Sequence, residues 1–199
     1  MIAGTARTRM VEVTTRLRLG FAVTAPRPWE ATTAACELLV QCGHVVQCLA
    51  GVDDVALGSL ADPRRPLGGL GDEIADVALG ALSVAVLTGQ EPSEEDLAAA
   101  ERCLPVPDAT PALAGAGPVL VAAGQLAEAS MIATGLRHRP VGDPPDVRTA
   151  CARVLVAADR MAMTHDLDLT QEFERMAADA ARFLTARFGV APITPGRAS

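Results

Sequence analysis

The chain has 199 residues, 50% of them hydrophobic, with 24 acidic against 17 basic side chains and a net charge of −7. That length and apolar share suffice for one sizeable core or two small halves packed closely together. The acidic balance excludes a basic, phosphate-tracking surface, and with it nucleic acid as the main partner.

Lysine, asparagine and tyrosine are absent while Ala, Arg, Gly and Pro abound, a mark of GC-rich coding, so alanine content alone is not evidence of structure. Residues 1–28 read ambiguously. Val11 to Leu19 mixes β-branched residues with the makings of a short helix, and Gly20, Pro26 and Pro28 punctuate it. This segment has arginines but no sustained apolar stretch, so it reads as neither signal peptide nor membrane anchor. The best uncharged apolar run, Val77 to Thr88, is too short to span a bilayer, and a soluble, cytoplasmic protein without a membrane partner is expected.

A first half, residues 29–103, opens with a helix from Trp29 to Ala50 whose apolar side is Leu38, Leu39, Val45, Val46 and Leu49. A turn-rich connector with Asp62-Pro63-Arg64-Arg65-Pro66 leads to a second helix that stops near Gly89. Ser93 is placed to cap a third, with acids in its first turn. Residues 104–118 form a Pro/Gly/Ala linker. The second half, residues 119–188, reads as helices from Val119 to Thr134, Val147 to His165 and Thr170 to Phe188, followed by a loose tail, 189–199. Met161, Met163, Phe173, Phe183 and Phe188 have ordinary helical spacings and read as core. Every strong periodic signal is helical, so the fold class is all-α. The five cysteines (Cys36, Cys42, Cys48, Cys103, Cys151) are odd in number and lack zinc-knuckle spacing, and read as small buried hydrophobes in a reducing compartment.

One stretch stands out, Gly71-Asp72-Glu73-Ile74-Ala75-Asp76-Val77, which puts three carboxylates at the head of an otherwise apolar helix. Glu73 and Asp76, three apart, project from one face. Like charges on an apolar face repel and are costly to desolvate, and a divalent cation is one remedy. The competing reading is ordinary helix-start chemistry, with Asp72 as the cap. The preceding helix carries a matching stripe, Glu37, Gln41 and His44 at i, i+4 and i+7, with Cys48 next. Packed antiparallel, the two helices would bring carboxylates, an amide oxygen and an imidazole together, although a histidine on an apolar helix also serves as a hydrogen-bonded core residue.

There is a faint internal repeat. Leu39 to Gln47 lines up with Leu120 to Glu128, and Ala75-Asp76-Val77 with Ala152-Arg153-Val154, which sets Ala150 and Arg153 where the first half has Glu73 and Asp76. This suggests a tandem of two helix pairs, the second without its acids.

Leu39-Val40-Gln41-Cys42-Gly43-His44-Val45, followed by Asp72-Glu73-Ile74-Ala75-Asp76-Val77, resembles the MazG-like all-α nucleoside triphosphate pyrophosphohydrolases. The family pattern is E-E-x-x-E on one helix and E-x-x-D on the next. The second motif matches at Glu73 and Asp76. In the first, Val40 and Gln41 replace the paired acids and His44 the third, with Glu37 one turn earlier. Val154 to Met161, with its Ala-Asp-Arg at 158–160, and the Asp166-Leu167-Asp168-Leu169 turn resemble the family's last helices. The resemblance implies a helical bundle and cleavage of a nucleotide to a monophosphate and pyrophosphate, and a homo-oligomer, a dimer, is expected because short apolar helical hairpins need partners to bury both faces. It implies Mg²⁺ or Mn²⁺ as cofactor, with Glu73 and Asp76 catalytic and Glu73, Asp76, His44, Gln41 and Glu37 as the metal set. Arg64 and Arg65 are candidates to meet phosphates, and solvated loop charge is the other reading for each. Losing up to three carboxylates weakens a hard-cation site, so two functions follow: a divergent hydrolase, or a helical binding or assembly protein that has lost the metal.

Overall fold

In the computed structural model the described residues are Ile2, 4–25, 27–57, 67–105 and 112–189. They form seven α-helices, α1 (Gly4–Ala22), α2 (Ala31–Val52), α3 (Leu70–Thr88), α4 (Glu94–Cys103), α5 (Ala116–Ala133), α6 (Val147–Thr164) and α7 (Leu169–Phe188), with a 3-10 turn at Ala112–Gly115 and, among these residues, no strand. The fold is an all-α helical bundle.

Side chains at the helix starts fix several of these boundaries. Ser93 and Asp96 form a reciprocal capping box on α4, the Asp96 N–H donating to Ser93 Oγ (3.2 Å) and the Ser93 N–H to Asp96 Oδ2 (2.8 Å). Asp146 accepts from the Thr149 N–H (2.8 Å) and Asp168 from those of Thr170 (2.8 Å) and Gln171 (3.1 Å), satisfying first-turn donors of α6 and α7. Gly89 ends α3 in the left-handed region (φ 65°), where a Cβ would be strained, and the Gln90 N–H returns to the Ala85 carbonyl at 2.9 Å. Asp72 is not the cap of α3. That place falls to Gly69, and Asp72 lies in the first turn.

The arrangement is a square of four helices with others laid on one side. α2 packs on α3 and α5, and α6 packs on α3 and α5. α1 and α7 pack against each other and against α3, and α4 packs against α6. α3 is therefore the central rod, buried without interruption from Val77 to Ala85. Its small residues make this possible. Gly80 crosses α2 so closely that a Cβ there would stand 3.1 Å from Leu38 Cα. One continuous core joins both halves, with Leu38, Val45 and Leu49 from α2, Ile74, Val77 and Leu82 from α3, Leu126, Leu155 and Met161 from α5 and α6, and Phe173 from α7.

Several expectations are corrected. The ambiguous N-terminal segment contains a 19-residue helix that buries Met10, Thr14 and Leu17. Leu39 lies on the outer face of α2 and is exposed, as are Met163 on α6 and Phe183 and Phe188 near the end of α7. Of the α2 cysteines only Cys42 is buried, and Cys36 and Cys103 are exposed. Two helices, Ala31–Val52 and Ala116–Ala133, are long and apolar enough to cross a membrane by length and composition, where only the shorter run in α3 was expected.

Candidate functional site

The first two turns of α3 and the middle of α2 face each other. From α2, Glu37, Gln41 and His44 rise on one side of the helix, as their spacing requires. Gln41 Nε2 donates to Glu37 Oε1 at 3.0 Å. His44 Nδ1 lies 2.9 Å from Gln41 Oε1 and 3.1 Å from Glu73 Oε2. Both neighbours are acceptors, so this nitrogen carries the proton and donates. Glu73, a buried carboxylate, completes its bonding by accepting from the Gly68 N–H at 2.9 Å. The result is an unbroken chain from Glu37 through Gln41 and His44 to Glu73 and on to the backbone before α3. Within it the Glu73 carboxylate is satisfied by hydrogen bonds, as a buried anion must be.

Beside this chain opens a cavity of about 330 Å³ between α1, α2, α3 and α7. Glu37, Gln41, Asp72 and Asp76 line it, together with Leu79, Met176, Phe21 and Trp29. Burial first, then repulsion from Asp72, Glu73 and Glu37, pushes the Asp76 carboxyl up to about 7. Burial and the neighbouring Glu73 also raise Asp72. Asp179, in the cavity wall, pairs with Arg182.

The cation of this cavity comes from α1. The Arg18 guanidinium lies over the Trp29 ring, its carbon 4.2 Å from the centroid, and 5.5 Å from that of Phe21. Burial lowers it to about 10 against the attraction of Glu37 and Asp76. Its Nε and Nη1 are buried without a hydrogen-bond partner. Neither Arg18 nor Trp29 was a sequence candidate. The spacing of Met10, Thr14, Leu17 and Phe21, one face of a helix, was the signal that places Arg18 next to the core.

Of the expected metal set, Glu37, Gln41, His44 and Glu73 are brought together as hydrogen-bonded neighbours, and Asp76 lines the cavity beside them. Among the described residues no group of three or more His, Cys, Asp and Glu side chains is placed to hold a metal ion. The physical reason is visible in the bonding: His44 Nδ1 and both Glu73 oxygens are spent on each other, on Gln41 and on Gly68, and the fixed positive charge beside Glu37 and Asp76 is Arg18. As placed, these side chains hydrogen-bond to one another instead of converging on a common point. Arg64 and Arg65 lie outside the described residues. Arg137 and Arg139 are exposed and pair with Glu128 and Asp143, far from any role in this cavity.

In the second half the matching place is closed by a different pair. The repeat sets His44 against Gln125 and Asp76 against Arg153, and Arg153 Nη1 donates to Gln125 Oε1 at 2.8 Å, joining α6 to α5 where His44 joins α2 to Glu73 of α3.

The chain matches no family model, no curated protein and no solved structure. The likeness to the pyrophosphohydrolases therefore rests on its motifs alone.

Proposed function

We propose that the protein is a helical binding protein whose cavity takes a small, planar, hydrogen-bonding ligand of the nucleobase or nucleoside kind, without a divalent cation. The observation that carries this reading is Arg18: a cation on an aromatic platform in the cavity wall, in the field of Glu37 and Asp76. A ligand edge with both acceptors and donors answers that arrangement, its acceptors meeting Arg18 and its donors the two carboxylates. Leu79, Met176 and Phe21 supply apolar walls for a flat body. A bare triphosphate does not suit it, because Glu37, Asp72, Asp76 and Asp179 repel added negative charge.

A second reading, metal-dependent hydrolysis of a nucleoside triphosphate to monophosphate and pyrophosphate, draws on one observation. The crowding of Glu37, Asp72 and Glu73 around Asp76 is a repulsion that Mg²⁺ or Mn²⁺ would relieve.

Trp29, the single tryptophan, sits in the cavity wall and reports on it. Its fluorescence is followed while nucleosides, monophosphates and triphosphates are titrated with and without Mg²⁺ or Mn²⁺. A saturable change with a nucleoside in metal-free buffer, lost in Arg18→Met with helicity retained, supports the binding reading. Pyrophosphate release that needs a divalent cation and disappears in Glu73→Gln and Asp76→Asn would replace it with the hydrolase.

A further inference from the structure

The carboxylates that line the cavity are not in the same state. Glu37 has one oxygen committed to the Gln41 Nε2–H, and Asp179 pairs with Arg182. Asp72 and Asp76 stand one turn apart on one face of α3, and neither accepts a side-chain hydrogen bond from any described residue. Their cationic neighbours put them in order along the wall. The charge of Arg18 acts on Asp76 and Glu37, whereas the cation acting on Asp72 is Arg175 of α7. Asp76 thus has both oxygens unspent, with the aromatic-held Arg18 on one side and Asp72 on the other.

This order of groups discriminates among planar bases. An ionised carboxylate only accepts, and its two oxygens are matched by two N–H donors side by side. Among the common nucleobases guanine alone carries such a pair, its ring N1–H and its 2-amino group, with the O6 acceptor next in line. Adenine and cytosine set a ring acceptor beside the amino group, and uracil flanks its single N–H with two carbonyls. Each of these would bring an acceptor against Asp76. We propose, resting on the base-binding reading above, that the cavity selects a base with the 2-amino-6-oxo edge of guanine, Asp76 accepting from N1–H and the 2-amino group and Arg18 donating to O6. The flanking acids, Asp72 and Glu37, suit the remaining amino hydrogen. A cavity of about 330 Å³ with Leu79 and Met176 in its walls takes a single bicyclic body. Pterins carry the same edge on a different ring.

The experiment is calorimetric titration of the full chain with guanosine, inosine, adenosine and pterin in metal-free buffer at pH 8, where Asp76 is mostly ionised. Inosine differs from guanosine only in lacking the 2-amino group. One hydrogen bond to a charged group changes affinity roughly ten-fold or more, so guanosine should bind at least about ten-fold tighter than inosine and adenosine. In Asp76→Asn the amide offers one acceptor and one donor, and guanosine should fall to the level of inosine with helical circular dichroism unchanged. Pterin binding tighter than guanosine, and weakened in the same variant, supports the edge and assigns it to the pterin ring. Inosine or adenosine binding as tightly as guanosine, or a variant that keeps the discrimination, overturns the proposal while leaving base binding in place. Binding of none of the four removes both.

Discussion

Replacing Asp76 by Asn tests the electrostatics of the cavity directly. Burial and the acids Asp72, Glu73 and Glu37 raise this carboxyl from 3.8 to about 7. At 1.36 kcal/mol per pH unit that rise corresponds to about 4 kcal/mol of cost for ionising it in the folded state. Solvent at the open mouth reduces this, and about 2 kcal/mol is expected. The sign follows from proton counts. Between the unfolded value near 4 and the folded value near 7 the native protein binds more protons than the unfolded chain, so this group makes stability fall as pH rises through that interval. Asn removes the fall, because it is neutral throughout. Urea unfolding should therefore show D76N and wild type close together at pH 4 and the variant more stable at pH 8, by a midpoint shift on the order of 1 M. Asp143→Asn, in an exposed loop, serves as the control for a surface charge. An equal effect of D76N at both pH values, or a loss of stability at pH 8, would refute the account of a carboxyl crowded by its neighbours.

Gly80→Ala should destabilise by about 1–2 kcal/mol in thermal or urea unfolding, since the new methyl stands 3.1 Å from the Leu38 backbone and α2 must move away. Gly43→Ala, on the open side of α2, should instead gain up to about 1 kcal/mol from helix propensity alone. His44→Glu puts a carboxylate where an imidazole now donates to Glu73 at 3.1 Å, and should cost about 1–3 kcal/mol in metal-free buffer. If millimolar Mn²⁺ restores its melting temperature while leaving wild type unmoved, the imidazole is what keeps the cation out.

The facing of α2 and α3 was legible in the sequence because the polar side chains of each helix share a face, Glu37, Gln41 and His44 on one and Glu73 and Asp76 on the other. What the pattern could not convey was how those groups are spent. An imidazole can ligate a metal or donate a hydrogen bond, and the choice depends on where Gln41 and Gly68 sit relative to Glu73. Residues 11–15, rich in Val and Thr, hid α1 behind strand-like composition, although its buried face keeps a helical period. Arg18 escaped because an arginine on a helix ordinarily reads as solvated, and only the proximity of Trp29 distinguishes it. Leu39 shows the opposite error. On a helix apolar on two sides, periodicity alone does not tell the core face from an outer one, and the outer one is what α5 repeats.

The wall that supplies Arg18 has a consequence for how the molecule assembles. α1 touches α7, and Gly20 lies against Leu184, so the cavity is closed by contacts between opposite ends of the chain. Such distant pairings pay their loop entropy late, after the α2–α3 and α5–α6 hairpins have formed. The cavity should accordingly be the last part to form and the first to open. Amide exchange in α1 would then respond to any occupant before the central rod does.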